Sequence, residues 1–96
     1  MKIIRDKVAF FIEEATKRKC KTVSDLDAIK LLAEKIIEEA NEFIESEYSV
    51  LELVDLYEVL DALKHKLKIN EEEFQQLKEM KKITNGAFEK NYILKE

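Results

Sequence analysis

Apolar residues recur along the chain with the spacing of one face of an α-helix. Val8, Phe11, Ile12 and Ala15 stand at positions i, i+3, i+4 and i+7 of one segment. This spacing places the four side chains on one side of a helix. The pattern therefore predicts a first amphipathic helix over about residues 3–18.

Residues suited to helix ends mark the limits of three further periodic segments. Ser24 and Asn70 are good N-caps, because their side chains accept a hydrogen bond from a free backbone N–H group. Ser49 stands three residues before Glu52, which is the spacing of a capping box. Asn85-Gly86 is the strongest helix breaker in the chain. The second, third and fourth predicted helices cover about residues 25–46, 50–67 and 71–85.

These helices predict a single all-α domain over residues 1–96. Consecutive helices joined by short turns pack antiparallel, so we expect an antiparallel bundle of about four helices. The C-terminal tail contains four large apolar residues and is too apolar to stay free, so we expect it to pack back on the bundle or on a partner. These residues are Phe88, Tyr92, Ile93 and Leu94. A chain of this length buries only about 60–65% of its unfolded surface, which favours a dimer.

Composition agrees with a helical protein and excludes several classes of function. Charged residues make up 40% of the chain, which contains one glycine and no proline. Folds rich in tight turns are therefore disfavoured. One cysteine and one histidine cannot form a zinc site or a disulfide framework. A single glycine also excludes the phosphate-binding P-loop and the dinucleotide fingerprint.

Charge and hydropathy limit the partners that we expect. The net charge is −4, which disfavours binding to nucleic acid. No apolar run approaches the about 20 residues that a membrane-spanning helix needs. The N-terminal residues also lack the apolar stretch of a secretory signal. We therefore expect a cytoplasmic protein with neither a nucleic-acid nor a membrane partner.

Four carboxylates occupy unusual positions on the second and third predicted helices. On a helical wheel Glu39 lies about 20° from Leu32, at the edge of the apolar face or inside it. Glu42 follows one turn later, and Glu52 and Asp55 form a second i, i+3 pair. Antiparallel packing brings such pairs together.

Gathered carboxylates repel each other and lose hydration unless a cation compensates them. Mg²⁺ and Mn²⁺ prefer oxygen ligands, whereas a di-iron site needs Glu-x-x-His motifs that the chain lacks. Spacing alone leaves two interpretations open. The carboxylates form either a divalent-metal site or an ordinary solvated face.

Sequence motifs add a resemblance to a known family. EEANE at residues 38–42, followed by ELVD at 52–55, resembles the EExxE…ExxD signature of the all-α nucleoside triphosphate pyrophosphohydrolases. This superfamily includes the MazG-like and phosphoribosyl-ATP pyrophosphohydrolase-like proteins. IIRDK at 3–7, DLYEVLDAL at 55–63 and GAFEK at 86–90 are similar to further motifs of its small members. These matches follow the family order along nearly the whole chain.

The resemblance implies a Mg²⁺-dependent enzyme, with Mn²⁺ as the alternative metal. Such an enzyme hydrolyses a nucleoside triphosphate between the α and β phosphates, giving a monophosphate and pyrophosphate. By their match to the motif, four residues would ligate the metal. The four are Glu39, Glu42, Glu52 and Asp55. Glu38, the candidate catalytic residue, would either support these ligands or help to orient the attacking water. Arg5, Lys7 and Lys90 would bind the phosphates of the substrate.

The substrate and the oligomer are less narrowly defined. The resemblance fits both removal of non-standard nucleotides and hydrolysis of phosphoribosyl-ATP. A short bundle offers few walls around a triphosphate, so we expect a second subunit to complete the active site. A non-catalytic helical interaction module that retains the fold is the alternative function.

Overall fold

The computed structural model describes residues 1–95 and confirms an all-α chain. Its four α-helices are α1 (Asp6–Thr16), α2 (Asp25–Glu45), α3 (Val50–Lys66) and α4 (Glu71–Asn85). No strand occurs within these 95 residues. None of the helices in the described part of the chain has the length and apolarity needed to cross a membrane.

The centre of the fold is an antiparallel hairpin of α2 and α3. Lys66, at the end of α3, lies 3.1 Å from the carboxylate of Asp25 at the start of α2, so the two helices run antiparallel. Leu32 of α2 packs against Val59 and Leu63 of α3, and these three side chains are buried. The hairpin thus provides a small apolar core and a rigid support for the carboxylates on both helices.

Two predicted caps are confirmed. The Oγ atom of Ser24 accepts a hydrogen bond from the backbone N–H of Asp27 at 3.2 Å, and α2 begins directly afterwards. Asn70 Oδ1 accepts one from the N–H of Glu73 at 2.9 Å in the same way. Gly86, with φ 83°, ends α4 as predicted.

The predicted capping box of α3 is wrong. Ser49 occupies the N-cap position, but its side chain makes no capping hydrogen bond. Its own N–H instead donates to Ser46 Oγ at 3.1 Å, because the connection between α2 and α3 is a tight turn. Glu52 is directed towards other carboxylates, as described below.

The turn after α2 is a Schellman motif built without glycine. The N–H of Glu47 donates to Ile44 O at 3.1 Å, and that of Tyr48 donates to Phe43 O at 2.9 Å. Glu47 adopts the left-handed conformation, with φ 58°. The Tyr48 ring packs edge-on against Phe43, with 5.6 Å between ring centroids. This apolar contact supports the turn and fixes the direction in which α3 leaves it.

The first helix is shorter than predicted. Residues 1–5 lie outside the helix and against the hairpin, where Ile3 packs on the core. Lys17 ends α1 in the left-handed conformation, with φ 59°. The predicted apolar face of α1 stays exposed in the single chain, and Phe11 is 61% exposed. The helix forms as the periodicity predicts, but its apolar face has no packing partner within residues 1–95.

The four helices fit an all-α bundle, of which the single chain closes only the α2–α3 pair. Close packing between helices is confined to α2 and α3 within residues 1–95. The radius of gyration is 17.2 Å, against about 12.5 Å expected for a compact domain of this length. The accessible surface is 9003 Å², whereas a monomer of this mass would expose about 5,700 Å². The described chain therefore leaves much of its surface without a packing partner.

The outer elements of the described chain are helix α4 and the C-terminal tail, which we expect to pack on the bundle or on a partner. Helix α4 is attached at its first turn, where Lys64 Nζ lies 2.5 Å from Glu71 Oε2 and 4.4 Å from the centre of the Phe74 ring. The C-terminal tail does not pack back on its own chain, since Phe88 and Leu94 are almost fully exposed. Packing of the tail on a partner stays a prediction.

Candidate metal centre

Three carboxylates meet at the hairpin between α2 and α3. Glu39 comes from α2, while Glu52 and Asp55 come from successive turns of α3. One carboxylate oxygen from each residue lies within 4.8 Å of the other two. We call these three residues the acidic cluster. Their convergence follows from the i, i+3 spacing on α3 and from the antiparallel packing of α2 against it.

Glu39 distinguishes this cluster from an ordinary acidic surface. The residue is only 6% exposed, although ionised carboxylates almost never occupy buried positions without a partner. Its Oε1 atom lies 3.5 Å from Lys35 Nζ. Its Oε2 atom is buried and has no hydrogen-bond partner within residues 1–95. A buried carboxylate oxygen without a partner is costly, because it has lost its hydration.

The surroundings disfavour the charged form of two cluster members. Burial raises the pKa of Glu39, and the negative charge of Glu42 raises it further. Burial also raises the pKa of Glu52, to which the charges of Glu42 and Asp55 add. The cluster thus holds negative charge that the nearby protein groups compensate only in part.

A hard divalent cation fits this arrangement. Mg²⁺ binds carboxylate oxygens, tolerates several of them and usually keeps water molecules as its other ligands. The acidic cluster supplies three oxygen donors close together. The buried Oε2 atom of Glu39 gives the independent sign of a missing partner. The donor set contains no sulfur or nitrogen, which disfavours zinc.

Basic side chains partly neutralise the cluster and its neighbour Glu38. Arg5 Nη2 donates a hydrogen bond to Asp55 Oδ1 at 2.5 Å. Lys2 Nζ lies 2.6 Å from Glu38 Oε1, and Lys35 Nζ lies 3.5 Å from Glu38 Oε2. The hydrogen bond from Lys2 lowers the pKa of Glu38 and raises the pKa of Lys2. Glu38 therefore stays ionised beside the cluster.

A groove of about 530 Å³ leads away from the acidic cluster. It runs between the N-terminal segment and the hairpin. Glu39 and Asp55 line it on the acidic side, and Leu32, Val59 and Ala62 give it an apolar wall. Its basic lining residues are Arg5, Lys7, Lys35, His65 and Lys66. The groove therefore combines carboxylates, cations and apolar surface.

The structure brings together most of the residues that the sequence singled out. Three of the four predicted metal ligands form the acidic cluster. Glu42 is not among these three, but its charge raises the pKa of Glu39 and Glu52, so it lies close by. The catalytic role of Glu38 stays a prediction.

Two of the three residues predicted to bind phosphate line the groove. Arg5 and Lys7 line the groove, as a phosphate-binding role requires. Lys90 lies in the exposed C-terminal tail and does not line the groove within residues 1–95. A contact between Lys90 and a substrate would need a second chain or a movement of the tail.

Sequence reasoning missed three groove or cluster residues. Lys35 stands four residues before Glu39, and this i, i+4 spacing would have indicated the pair. His65 lies outside the catalytic, metal-ligand and phosphate-binding residues that the motifs predict, yet it lines the groove. Lys2 carried no signal, because its contact with Glu38 depends on how the N-terminal segment crosses the hairpin.

Comparison with known proteins gives no match. No protein-family model, no curated protein and no solved structure matches the chain. The resemblance to the nucleoside triphosphate pyrophosphohydrolases therefore stays a prediction from the sequence motifs. The functional argument depends on the geometry of the acidic cluster and the groove.

Proposed function

We propose that the protein is a Mg²⁺-dependent nucleoside triphosphate pyrophosphohydrolase. The observation that carries this proposal is the buried Glu39 carboxylate, whose Oε2 atom lacks a partner in the described chain. It stands beside Glu52 and Asp55, with one oxygen of each residue within 4.8 Å of the others. The order of the sequence motifs supports the same activity.

Each residue near the cluster has a chemical role in this proposal. Glu39, Glu52 and Asp55 would hold the metal, with Glu42 as a fourth ligand. When bound, Mg²⁺ would offset the charge of the triphosphate and lower the pKa of a bound water. Glu38 stays ionised and shares Lys35 with Glu39, so it would orient the attacking water or accept its proton. The water oxygen would bond to the α-phosphorus as the bond from this phosphorus to the oxygen that bridges it to the β-phosphorus breaks. The water proton would pass to Glu38, and pyrophosphate would leave.

The groove supports a nucleotide as the ligand. Its volume of about 530 Å³ lies within the range of small-molecule sites. Arg5 and Lys7 would meet the phosphates, and a guanidinium matches two phosphate oxygens well. The apolar wall of Leu32 and Val59 would contact the less polar part of the ligand. This lining leaves open whether a non-standard nucleotide or phosphoribosyl-ATP is the substrate.

We also propose that two copies form the active unit. With 9003 Å² of accessible surface, the chain exposes about 3,300 Å² more than a compact monomer of its mass would. Apolar side chains on the outer helices are part of this excess, for example Phe10 at 56% and Ile83 at 76% exposed. A second copy would cover these faces and add walls to the groove.

Pyrophosphate release tests the activity directly. A panel of canonical and modified nucleoside triphosphates, together with phosphoribosyl-ATP, is incubated with Mg²⁺, Mn²⁺ or EDTA. We expect metal-dependent release that Glu39→Gln and Asp55→Asn each reduce at least a hundredfold, since each removes a metal ligand. Glu72→Gln, at an exposed position on α4, is the matched control and keeps its activity. Absence of release from every substrate would refute the proposed enzyme.

The exposed apolar surface favours a second candidate function. A non-catalytic interaction module would use the uncovered faces of α1 and α4 to bind another protein. In that case the folded chain would release no pyrophosphate, and Mg²⁺ would not raise its melting temperature. A metal bound only to the folded state must raise it.

A further inference from the structure

The N-terminal segment, residues 1–5, crosses the hairpin and reaches both of its helices. Ile3 packs on the apolar core and fixes the middle of the segment. Lys2, on one side of Ile3, pairs with Glu38 of α2 at 2.6 Å. Arg5, on the other side, pairs with Asp55 of α3 at 2.5 Å. The segment thus places two cations against the carboxylates around the proposed metal site.

The two cations do not have equivalent partners. Lys2 holds Glu38, which is outside the acidic cluster. Arg5 holds Asp55, which is one of the three cluster residues. A guanidinium on this carboxylate and a divalent cation within the cluster would be close enough to repel each other strongly. The guanidinium and the metal would also bind lone pairs of the same Asp55 carboxylate.

We propose that Arg5 and a divalent cation exchange at Asp55. In the metal-free chain Arg5 neutralises this carboxylate, and metal binding displaces the guanidinium. Ile3 and Lys2 keep the segment in place, so the displaced Arg5 stays at the groove that it lines. Metal loading thereby makes a cation available at the place where a phosphate would lie. This inference depends on the proposed metal site.

Metal affinity gives the first test. Calorimetric titration with Mn²⁺ compares the wild type with Arg5→Gln after both proteins are stripped with EDTA. Loss of a partly exposed ion pair predicts about two- to fivefold tighter Mn²⁺ binding in the variant. Lys2→Gln removes a cation of equal charge from the same segment and controls for the local field. Lys19→Gln, at an exposed position that makes no ion pair within residues 1–95, controls for net charge.

The outcomes separate this inference from the proposed function. Tighter binding in Arg5→Gln than in both controls supports the exchange. If Arg5→Gln binds Mn²⁺ no more tightly than Lys2→Gln does, while Glu39→Gln abolishes binding, only the exchange is overturned. If neither the wild type nor Arg5→Gln binds Mn²⁺, the metal site and the exchange both fail.

The guanidinium itself gives the second test. The chain contains only two arginines, Arg5 and Arg18, so their ¹⁵N side-chain resonances can be assigned from the Arg5→Gln spectrum. We expect saturating Mg²⁺ to shift the Arg5 resonance and to speed its proton exchange with water, while Arg18 stays unchanged. An unchanged Arg5 resonance at metal saturation would overturn the proposal.

Discussion

Glu39 is the residue at which burial and charge oppose each other most clearly. Its ionised form gains from Lys35 on one side, but its Oε2 atom has no partner in the described chain. Folding therefore favours the protonated carboxyl, and the pKa of Glu39 is raised. The stability of the metal-free protein should depend on pH for this reason.

The sign of this dependence follows from proton binding. Between the ordinary pKa of a glutamate and the raised pKa of Glu39, the folded state binds more protons than the unfolded state does. The contribution of Glu39 to the free energy of unfolding therefore falls as pH rises through this window. We expect Glu39→Gln to melt at a higher temperature than the wild type at pH 7 in EDTA. Melting curves at several pH values check this.

Bound metal should reverse the order of the two melting temperatures, and this reversal is the control for the prediction. Saturating Mg²⁺ should stabilise the wild type and leave Glu39→Gln unchanged, because the variant lacks a ligand. Well below the ordinary pKa of a glutamate, both proteins carry a neutral side chain and the difference should shrink. A wild type that melts above the variant at pH 7 in EDTA would contradict the argument.

At the scale of the helix, left-handed residues without glycine end three of the four helices. Lys68 follows α3 with φ 56°, and its N–H donates to His65 O at 3.1 Å. The N–H of Ile69 donates to Lys64 O at 3.1 Å, which completes a Schellman motif. Residues with a side chain pay a steric cost in this conformation, whereas glycine does not.

Lys68→Gly should therefore stabilise the protein. We expect the free energy of unfolding to rise by about 0.5–1 kcal/mol, after allowance for the greater backbone entropy that glycine loses on folding. Chemical denaturation measures this. Lys30→Gly, at an exposed position inside α2, should instead lower it by about 1 kcal/mol. Equal effects of the two substitutions would show that Lys68 is not left-handed in solution.

The helices were predictable because their signals are local. Ser24 and Asn70 cap helices through hydrogen bonds to residues three positions away. Gly86 ends α4 because its backbone adopts a positive φ. The acidic cluster was partly predictable, since periodicity placed Glu39 on the apolar face. The contact between Arg5 and Asp55 was not, because it joins residues 50 positions apart across a segment with no periodic pattern.

For the whole molecule, the main feature is the surface that the single chain leaves uncovered. Its 9003 Å² of accessible surface is more than a stable monomer of this size exposes. The predicted apolar face of α1 and the apolar residues of the tail both stay exposed, and no partner for them lies within the described chain. What covers a surface on another molecule cannot be inferred from periodicity alone.

Sedimentation equilibrium checks the proposed association. We expect at least twice the mass of one chain, and a shift towards the monomer in Phe11→Glu, because Phe11 is 61% exposed on the apolar face of α1. Lys19→Glu makes a comparable surface change outside that face and should leave the mass unaltered. A monomer at all concentrations would show that the exposed faces serve another partner or none.

The small core has a consequence for how the chain reaches its folded state. Leu32, Val59 and Leu63 form the buried apolar cluster of the described chain, and so small a core offsets little of the conformational entropy that folding removes. If a second copy buries the remaining apolar surface, folding and association of the two chains become one bimolecular step. The yield of native protein would then depend on how much chain is synthesised, and a dilute chain would be exposed to proteolysis before it meets its partner.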